Sequence, residues 1–285
     1  CRRAGGHEYT SMDVCRVVGA EILSRLAGRG LKVNLENPDF TVNVEVRGEN
    51  AYVYVETLEG PGGFPLGVQG KVVCLLSGGL DSSVAAWLAM KRGCEPIFLY
   101  FDNTPFTDET TTRRALEVAK ALFKWAPWLP RKVYIAPHGE NLGAIIDKCP
   151  RRYTCLLCKR LMYRVAEKVA KLTGAEAIVT GEALGEQASQ TLRNLRVLSQ
   201  ALTRYPVLRP VLGFDKVETE RLARRIGTYE SASKPAKGCE AAPKKPATHA
   251  NLERVLEVEG LLNLEEMVER EVKGLRLVSL EDFAT

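Results

Sequence analysis

From Lys71 onward the chain alternates short apolar runs with helix-like segments, and that alternation leaves few architectures open. KVVCLL (71–76) leads into a helical stretch reaching about Arg92, and EPIFLYF (95–101) into another from about Glu109 to Trp125. RKVYIA (131–136) precedes CLLCKRLMYRVAEKVAKLTG (155–174), AEAIVTG (175–181) follows it, and a further helix runs through DKVETERLARRIG (215–227). Strands interleaved with helices predict an α/β fold, a parallel sheet with helices on both faces. Ligands of such sheets bind at the carboxyl ends of the strands.

Before Lys71 the texture differs. A helix is expected over about 13–26, with Val14, Val17, Val18, Ile22 and Leu26 on one face. Asn37-Pro38 breaks it off, and FTVNVEV and AYVYVE alternate with period two around Arg47–Asn50, a hairpin signal. One helix and one hairpin make a poor core, so residues 1–60 read as half of a small α+β domain. The first residue is Cys1, not Met, which fits a missing start. EGPGGFPLGVQG (59–70) holds five glycines and two prolines, and residues 61–70 are taken as a linker. Residues 71–250 form the α/β domain, and 251–285 an acidic helical extension.

Composition narrows the setting. No apolar run approaches the roughly 20 residues that cross a bilayer, and no signal peptide is visible, so a cytoplasmic protein without membrane attachment is expected. The net charge is +5, but nine acidic against four basic residues after position 250 leave +10 on the rest. A body so basic suits a polyanionic partner; a solvated surface is the plainer explanation. Eight cysteines in a reducing compartment are core residues, catalysts or metal ligands rather than a disulfide framework.

The loop Ser77-Gly78-Gly79-Leu80-Asp81-Ser82 leaves the first strand of the sheet. Its glycines let backbone amides approach an anion, and the following helix adds its positive end. Ser77, Ser82 and Ser83 add hydroxyls. A capped turn, with Asp81 or Ser82 serving the helix N-terminus, is the bland alternative. Neither the Gly-Lys-Ser/Thr ending of the ordinary P-loop nor Gly-x-Gly-x-x-Gly is present. Asp81 beside a phosphate needs a cation between them, which points to Mg2+.

Three further features carry chemistry. Cys155 and Cys158, three apart at a helix start, fit half a zinc site, a redox pair or part of an iron–sulfur site, or one core cysteine beside an exposed one. A helix N-terminus lowers a thiol pKa. Cys239 lies in PAKGCEAAPKKPATH, whose lysines and prolines suggest an exposed, electropositive loop favouring thiolate. With Cys155 and Cys158 it makes three cysteines and one open position; Cys149 is a possible fourth ligand. TGEALGEQASQTL (180–192) leaves the fourth strand with glycines and polar residues, either a capped loop or the far wall of a nucleotide pocket.

The Ser77–Ser82 run resembles the PP-loop of ATP pyrophosphatases, which cleave ATP to AMP and pyrophosphate and adenylate a substrate. LLSGGLDS, LYFDNTPFT, CKRLMYRVAEKVA, IVTGEALGEQASQTLRNLRVLSQA, PVLRPVLGFDKVETERLARRIGTYE and KGCEAAPKKPAT follow one another as in the tRNA 4-thiouridine synthases (tRNA uracil 4-sulfurtransferases). NPDFTVNVEVRGENAYVYVETLEGPGGFPLGVQGKV resembles the second half of that family's RNA-binding THUMP domain. The resemblance implies an adenine nucleotide alpha hydrolase-like domain after part of a THUMP domain. It puts ATP contacts on Leu75, Leu76, Ser77, Gly78, Gly79, Asp81, Ser82, Tyr100, Phe101, Lys159, Gly181 and Gln190. Lys159 can neutralise phosphate and Gln190 can hydrogen-bond the nucleotide.

The resemblance also makes Cys239 the catalytic cysteine, with Asp81 assisting through Mg2+. Cys155, Cys158 and Cys239 match the cysteines implicated in a 4Fe-4S or 3Fe-4S cluster in archaeal-like members. Many bacterial members end in a rhodanese domain, and the 46 residues after Cys239 are too few for one. Sulfur is then expected from sulfide or from a persulfide-carrying protein. The implied reaction adenylates uracil O4, at position 8 of tRNA, and then transfers sulfur to C4. Arg2, Arg3, His7, Arg16 and the lysines near Cys239 are candidate RNA contacts. In some organisms the family also feeds sulfur to thiamine biosynthesis, and a homodimer is a further expectation, which the residues themselves do not decide. Competing expectations are a 2-thiolating tRNA enzyme, an ATP-dependent amidotransferase and a non-catalytic tRNA-binding module.

Overall fold

Val72 and Val73 are neighbours in one strand, face opposite ways and are both buried. Only a sheet covered on both faces encloses consecutive side chains in this way. That is the architecture of the computed structural model, which describes residues 1–281. The chain divides into two units, one over Cys1–Pro61 and one from Gly62 onward.

The first unit holds β1 (Arg2–Ala4), α1 (Ser11–Arg25), β2 (Asn43–Arg47) and β3 (Asn50–Tyr54). Strand β1 runs parallel to β2, and β2 pairs antiparallel with β3 across the expected hairpin. Thr10 and Asp13 cap α1 reciprocally, which starts the helix earlier than its apolar spacing suggests. No residue of α1 is buried, and Val44 and Val46 are the unit's buried apolar side chains. Among the candidate RNA contacts, Arg3 lies over the Tyr9 ring, His7 stacks on that ring, and Arg16 pairs with Asp13 at 3.6 Å.

The second unit runs β4 (Lys71–Leu76), α2 (Leu80–Lys91), β5 (Glu95–Asp102), α3 (Glu109–Leu122), β6 (Lys132–Pro137), α4 (Gly139–Lys148), α5 (Thr154–Thr173) and β7 (Ala175–Val179). It continues with α6 (Leu192–Ser199), β8 (Val207–Leu208), α7 (Lys216–Ile226), α8 (Tyr229–Ala232), α9 (Leu252–Glu259), α10 (Leu264–Lys273) and β9 (Arg276–Ser279). The strand order is β8-β7-β4-β5-β6-β9. The chain steps outward from β4 through β5 to β6, then returns to β7 on the other side of β4. That reversal parts the loops after β4 and β7 and leaves a crevice between them.

Val72, Cys74 and Leu76 pack with Phe98 and Tyr100 against α2, α3 and α7 on one face. Val73, Leu99, Phe101 and Ile178 pack against α5, α6, α9 and α10 on the other. Helix α2 sits among α3, α7 and the sheet, so Val84, Ala85, Ala86, Trp87, Ala89 and Met90 are all buried.

The sheet is mostly parallel, as expected, and β9 adds one antiparallel edge strand beside β6. Two expectations need correction. Residues 62–70 are not a free linker: Phe64 N donates to Lys91 O at 3.0 Å, Gly67 N to Gly93 O at 2.8 Å, and Glu95 N to Gly70 O at 2.8 Å. A glycine-rich segment can lie flat on a helix end where side chains would collide. The segment after 250 contributes two helices and strand β9 to the second unit, rather than standing outside it as an extension.

Buried charge joins that segment to α5. Arg160 is fully buried and forks onto Glu259 of α9, with Nε at 2.9 Å and Nη2 at 2.7 Å from its oxygens; Arg164 Nη2 adds a contact at 3.0 Å. Arg160 also donates to Val197 O and to Gln200 Oε1 on α6. Removing one partner of such a pair costs more than replacing both. Glu259→Ala should therefore lower unfolding free energy by about 3–5 kcal/mol, while the double change Arg160→Met with Glu259→Leu should recover most of that loss. Chemical denaturation of the three proteins measures both.

Candidate active site

A cavity of about 340 Å3 opens at the carboxyl ends of β4, β5 and β7. It is walled by the loop after β4, by Asn103 and Thr107 after β5, by Thr180–Gln190 after β7, by one side of α5, and by Lys237–Cys239.

The loop after β4 is held by its own hydroxyls. Ser82 Oγ accepts from Ser77 N at 3.2 Å, lies 3.1 Å from Ser77 Oγ and donates to Gly79 O at 3.1 Å. Gly79 is the N-cap of α2 and offers no side-chain cap, so the first amides of that helix face the loop without a side-chain acceptor at the cap. Gly78 takes φ +75, and a Cβ there would fall 2.8 Å from Ala115 N. Only glycine fits both conditions. Gly181 meets a different limit, since its Cβ would lie 2.4 Å from Ser82 N. The loop after β7 thus rests directly on the backbone of the first turn of α2.

Asp81 faces the cavity, and Lys216 Nζ lies 3.2 Å from each of its oxygens. The cation that sequence reasoning asked for beside Asp81 is, in this structure, a lysine from α7. Lys159 Nζ lies 3.3 Å from Glu182 Oε1. Glu182 is buried and also accepts from Tyr163 Oη at 2.6 Å, Arg209 Nε at 2.8 Å and Thr180 Oγ1 at 3.3 Å. Burial alone would raise its pKa; Lys159, Tyr163 and Arg209 outweigh that and hold the carboxyl below its ordinary range. The network ties the β7 loop to α5 and keeps Lys159 aimed along the cavity wall. Four buried atoms around the cavity have no partner among the described residues: Asn103 Oδ1, Thr107 Oγ1, Arg114 Nε and Gln190 Oε1. Buried polar atoms are seldom left unpaired, so the cavity is equipped for a polar ligand.

Leu75, Leu76, Ser77, Asp81, Ser82, Tyr100, Phe101, Lys159, Gly181, Gln190 and Cys239 all line this one cavity. Gly78 and Gly79 shape the loop without lining it, and Cys155 and Cys158 stand off its wall. The expected low thiol pKa values are not seen. Burial, then Cys158 and Cys239, push Cys155 up to about 11 against the pull of Lys159 and Arg151, so the helix N-terminus is outweighed. Cys239 is also raised, by burial first, although the Ala241 and Ala242 amides pull it back. Lys237 Nζ is paired with Glu240 at 2.9 Å.

Cys158 has an unforeseen partner. Its Sγ lies 3.3 Å from His138 Nε2, and His138 Nδ1 lies 3.0 Å from Glu271 Oε1. Asn141 donates to the other Glu271 oxygen at 2.6 Å. Burial would lower the imidazole pKa, but Cys158 and Glu271 raise it to about 10. Among the described residues, no three His, Cys, Asp or Glu side chains are grouped to hold a metal ion. The three thiols nevertheless act on one another electrostatically, and soft thiolates are the donors iron prefers.

Sequence reasoning missed Glu182, Tyr163, Arg209, His138, Glu271 and Arg114. His138 follows the third strand at its carboxyl end and Glu182 follows Gly181, so position alone marked both. Arg209, Glu271 and Arg114 carried no signal, since their roles depend on distant packing.

Comparison with known proteins accords with this geometry. Residues 67–264 match the family model "Thiamine biosynthesis protein (ThiI)", and residues 1–56 match the THUMP domain. A probable tRNA sulfurtransferase of Methanosarcina acetivorans is 44% identical over 281 residues, which is 98% of this chain and 68% of that protein. One from Caldanaerobacter subterraneus is 40% identical over 263 residues, 92% of this chain and 68% of that protein. A solved 4-thiouridine synthetase in complex with RNA and ATP superposes with a TM-score of 0.87 at 35% identity, over 97% of this chain and 72% of that one. No helix among the described residues is long and apolar enough to cross a membrane.

Two outcomes follow for this site. Gly181→Ala should force the β7 loop off Ser82 and weaken nucleotide binding at least about tenfold, with Gly185→Ala, in open space at φ +84, costing only local backbone strain; titration with a fluorescent nucleotide compares them. The folded His138 pKa lies above the unfolded 6.5, so its stabilisation is complete below pH 6.5 and fades as pH rises toward about 10. The stability difference between wild type and His138→Gln should shrink across that window in denaturant titrations.

Proposed function

The chain belongs to the ThiI family, and from that premise we propose that it is an ATP-dependent tRNA sulfurtransferase that forms 4-thiouridine, at position 8 of tRNA. The observation that carries this reading is the meeting of the Ser77–Ser82 loop and Cys239 on one cavity wall. A loop of that kind suits adenylation, and a thiol beside it suits sulfur delivery to the adenylated base.

The residues divide the work. The amides of Gly78, Gly79 and the first turn of α2, with Ser77 and Ser82, receive phosphate oxygens and stabilise the departing pyrophosphate. Leu75, Leu76, Tyr100, Phe101, Gly181 and Gln190 enclose the nucleoside, and Lys159, steadied by Glu182, neutralises phosphate. Asp81 would hold Mg2+, with Lys216 giving way; the ion would offset charge on the pyrophosphate. The uracil O4 attacks the α-phosphorus and pyrophosphate leaves. Hydrosulfide then adds to C4, the C4–O bond breaks so that AMP leaves, and the sulfur loses its proton to give the thione. The base must be taken out of its stack to reach the cavity. Asn103 and Thr107 leave buried polar atoms free near the Cys239 loop, where Glu240 N donates to Phe106 O at 2.9 Å.

Cys239 is the thiol on the cavity wall, and we assign sulfur handling to it. Cys155, Cys158 and Cys239 would together hold an iron–sulfur cluster. Its chemistry, when bound, is to carry sulfide on an open iron. His138 would then support Cys158 from behind. The donor is sulfide, or a persulfide-carrying protein whose outer sulfur a second thiol releases as hydrosulfide while the two thiols form a disulfide; the THUMP unit supplies RNA affinity, and action in the cytoplasm, as a homodimer, belongs to the same proposal.

Incubation with unmodified tRNA, ATP and sulfide should give thiolated tRNA together with AMP and pyrophosphate, with the sulfur mapped by mass spectrometry to uridine 8. Cys239→Ala should abolish thiolation while retaining ATP binding. Thiolation of an anticodon uridine would instead identify a 2-thiolating enzyme, and release of AMP with ammonia incorporation an amidotransferase.

A further inference from the structure

One cation of the cavity has no role in the reaction as described. The other cations around the site are each committed to a carboxylate: Lys159 to Glu182 at 3.3 Å, Lys237 to Glu240 at 2.9 Å, and Lys216 to Asp81 at 3.2 Å. Arg114 lines the same cavity and makes no ion pair among the described residues. Its Nε is buried and has no hydrogen-bond partner among the described residues. A charged donor in that position costs free energy unless a ligand accepts from it, and an anion is the acceptor it suits best.

Its place in the fold names the ligand. The backbone of Arg114 and Ala115 is pressed against Gly78 at the tip of the Ser77–Ser82 loop, where an added Cβ would lie 3.2 Å from the Arg114 carbonyl carbon. The side chain therefore leaves α3 beside the loop that receives phosphates. Arg114 has a second attachment. Its Nη1 donates to Lys234 O at 3.2 Å. Nearby, Thr111 Oγ1 donates to Lys237 O at 3.1 Å, and Lys237 N donates to Thr110 Oγ1 at 3.2 Å. These bonds moor the segment 234–237, which leads directly into Cys239.

We propose that Arg114 binds a phosphate of ATP through Nε while Nη1 keeps the Lys234 carbonyl, so that nucleotide occupancy sets the position of the Cys239 segment. The planar guanidinium can hold both acceptors at once, whereas a lysine ammonium cannot reproduce that fork. In this arrangement the thiol is ordered when the triphosphate is present, which couples sulfur delivery to adenylation. The inference rests on the reading of this cavity as an ATP site.

The test is equilibrium binding of ATP and of adenosine to the full chain, for wild type, Arg114→Lys and Arg114→Ala. Hydrogen exchange over residues 234–241 is followed in the same samples with and without ATP. Arg114→Ala should weaken ATP about tenfold or more while leaving adenosine affinity unchanged. Arg114→Lys should regain much of the ATP affinity but lose the slowing of exchange that ATP produces in wild type. Equal loss of ATP and adenosine affinity, unchanged ATP affinity in Arg114→Ala, or full ATP-dependent protection in Arg114→Lys would each overturn the proposal. A wild type that binds no ATP would overturn the ATP reading of the cavity instead.

Discussion

Arg160 is fully buried on α5, and a charge without water must be met by an opposite charge and by further hydrogen bonds. Glu259 meets it from α9, while Val197 O and Gln200 take its remaining donors from α6. That one side chain ties two helices, α6 and α9, to α5, and α5 lines the cavity. Cys155 and Cys158 stand in its first turns, Lys159 and Tyr163 reach Glu182, and Leu156, Leu157 and Leu161 enter the core. Helical spacing sorts these roles. Lys159 and Tyr163 are four apart on the cavity side, and Arg160 and Arg164 are four apart toward Glu259. If the buried pair slipped by one turn, the cavity wall would turn with it.

The acidic C-terminal segment gains meaning from the same interaction. Its negative charge resembled a solvated helical extension, yet two of its carboxylates are among the most buried in the molecule. Glu259 holds Arg160, and Glu271 holds His138, which touches Cys158. The cysteine helix is therefore anchored from two sides by residues that lie about a hundred positions further along the chain. A separate domain boundary at 250 has no physical basis here, because these contacts and strand β9 cross it.

The cavity shows a similar division between backbone and side-chain control. Gly78 and Gly181 are needed for what they lack: one admits a positive φ, the other a backbone contact too close for a methyl group. Glu182, Arg209 and Lys216 then set charge. Each cation around the cavity except Arg114 already has a carboxylate, so a polyanionic ligand must compete for them or find Arg114. That competition is a physical reason for binding to be linked to movement of Lys216 and of the segment before Cys239.

Local pattern was enough for much of this protein. The alternation after Lys71 determined the α/β class, and KVVCLL, RKVYIA and the helix ended by Gly174 stand where their hydrophobic spacing and breakers put them. The Ser77–Ser82 loop was legible because its glycines and serines act through bonds made within six residues. The polar, proline-rich surroundings of Cys239 singled it out, and it lines the cavity. Tertiary structure decided the remainder: how deeply Cys155 and Cys239 are buried, what accompanies Asp81, that residues 62–70 are packed, and that an edge strand runs antiparallel. Thiol pKa values depend on burial, which no local composition reports, and burial raises those of Cys155 and Cys239 where the sequence alone suggested lowering. Glu182, His138 and Arg114 reach the cavity or its cysteines only when segments distant in the chain come together, since a buried charge takes its partners from whatever the fold places within hydrogen-bond reach.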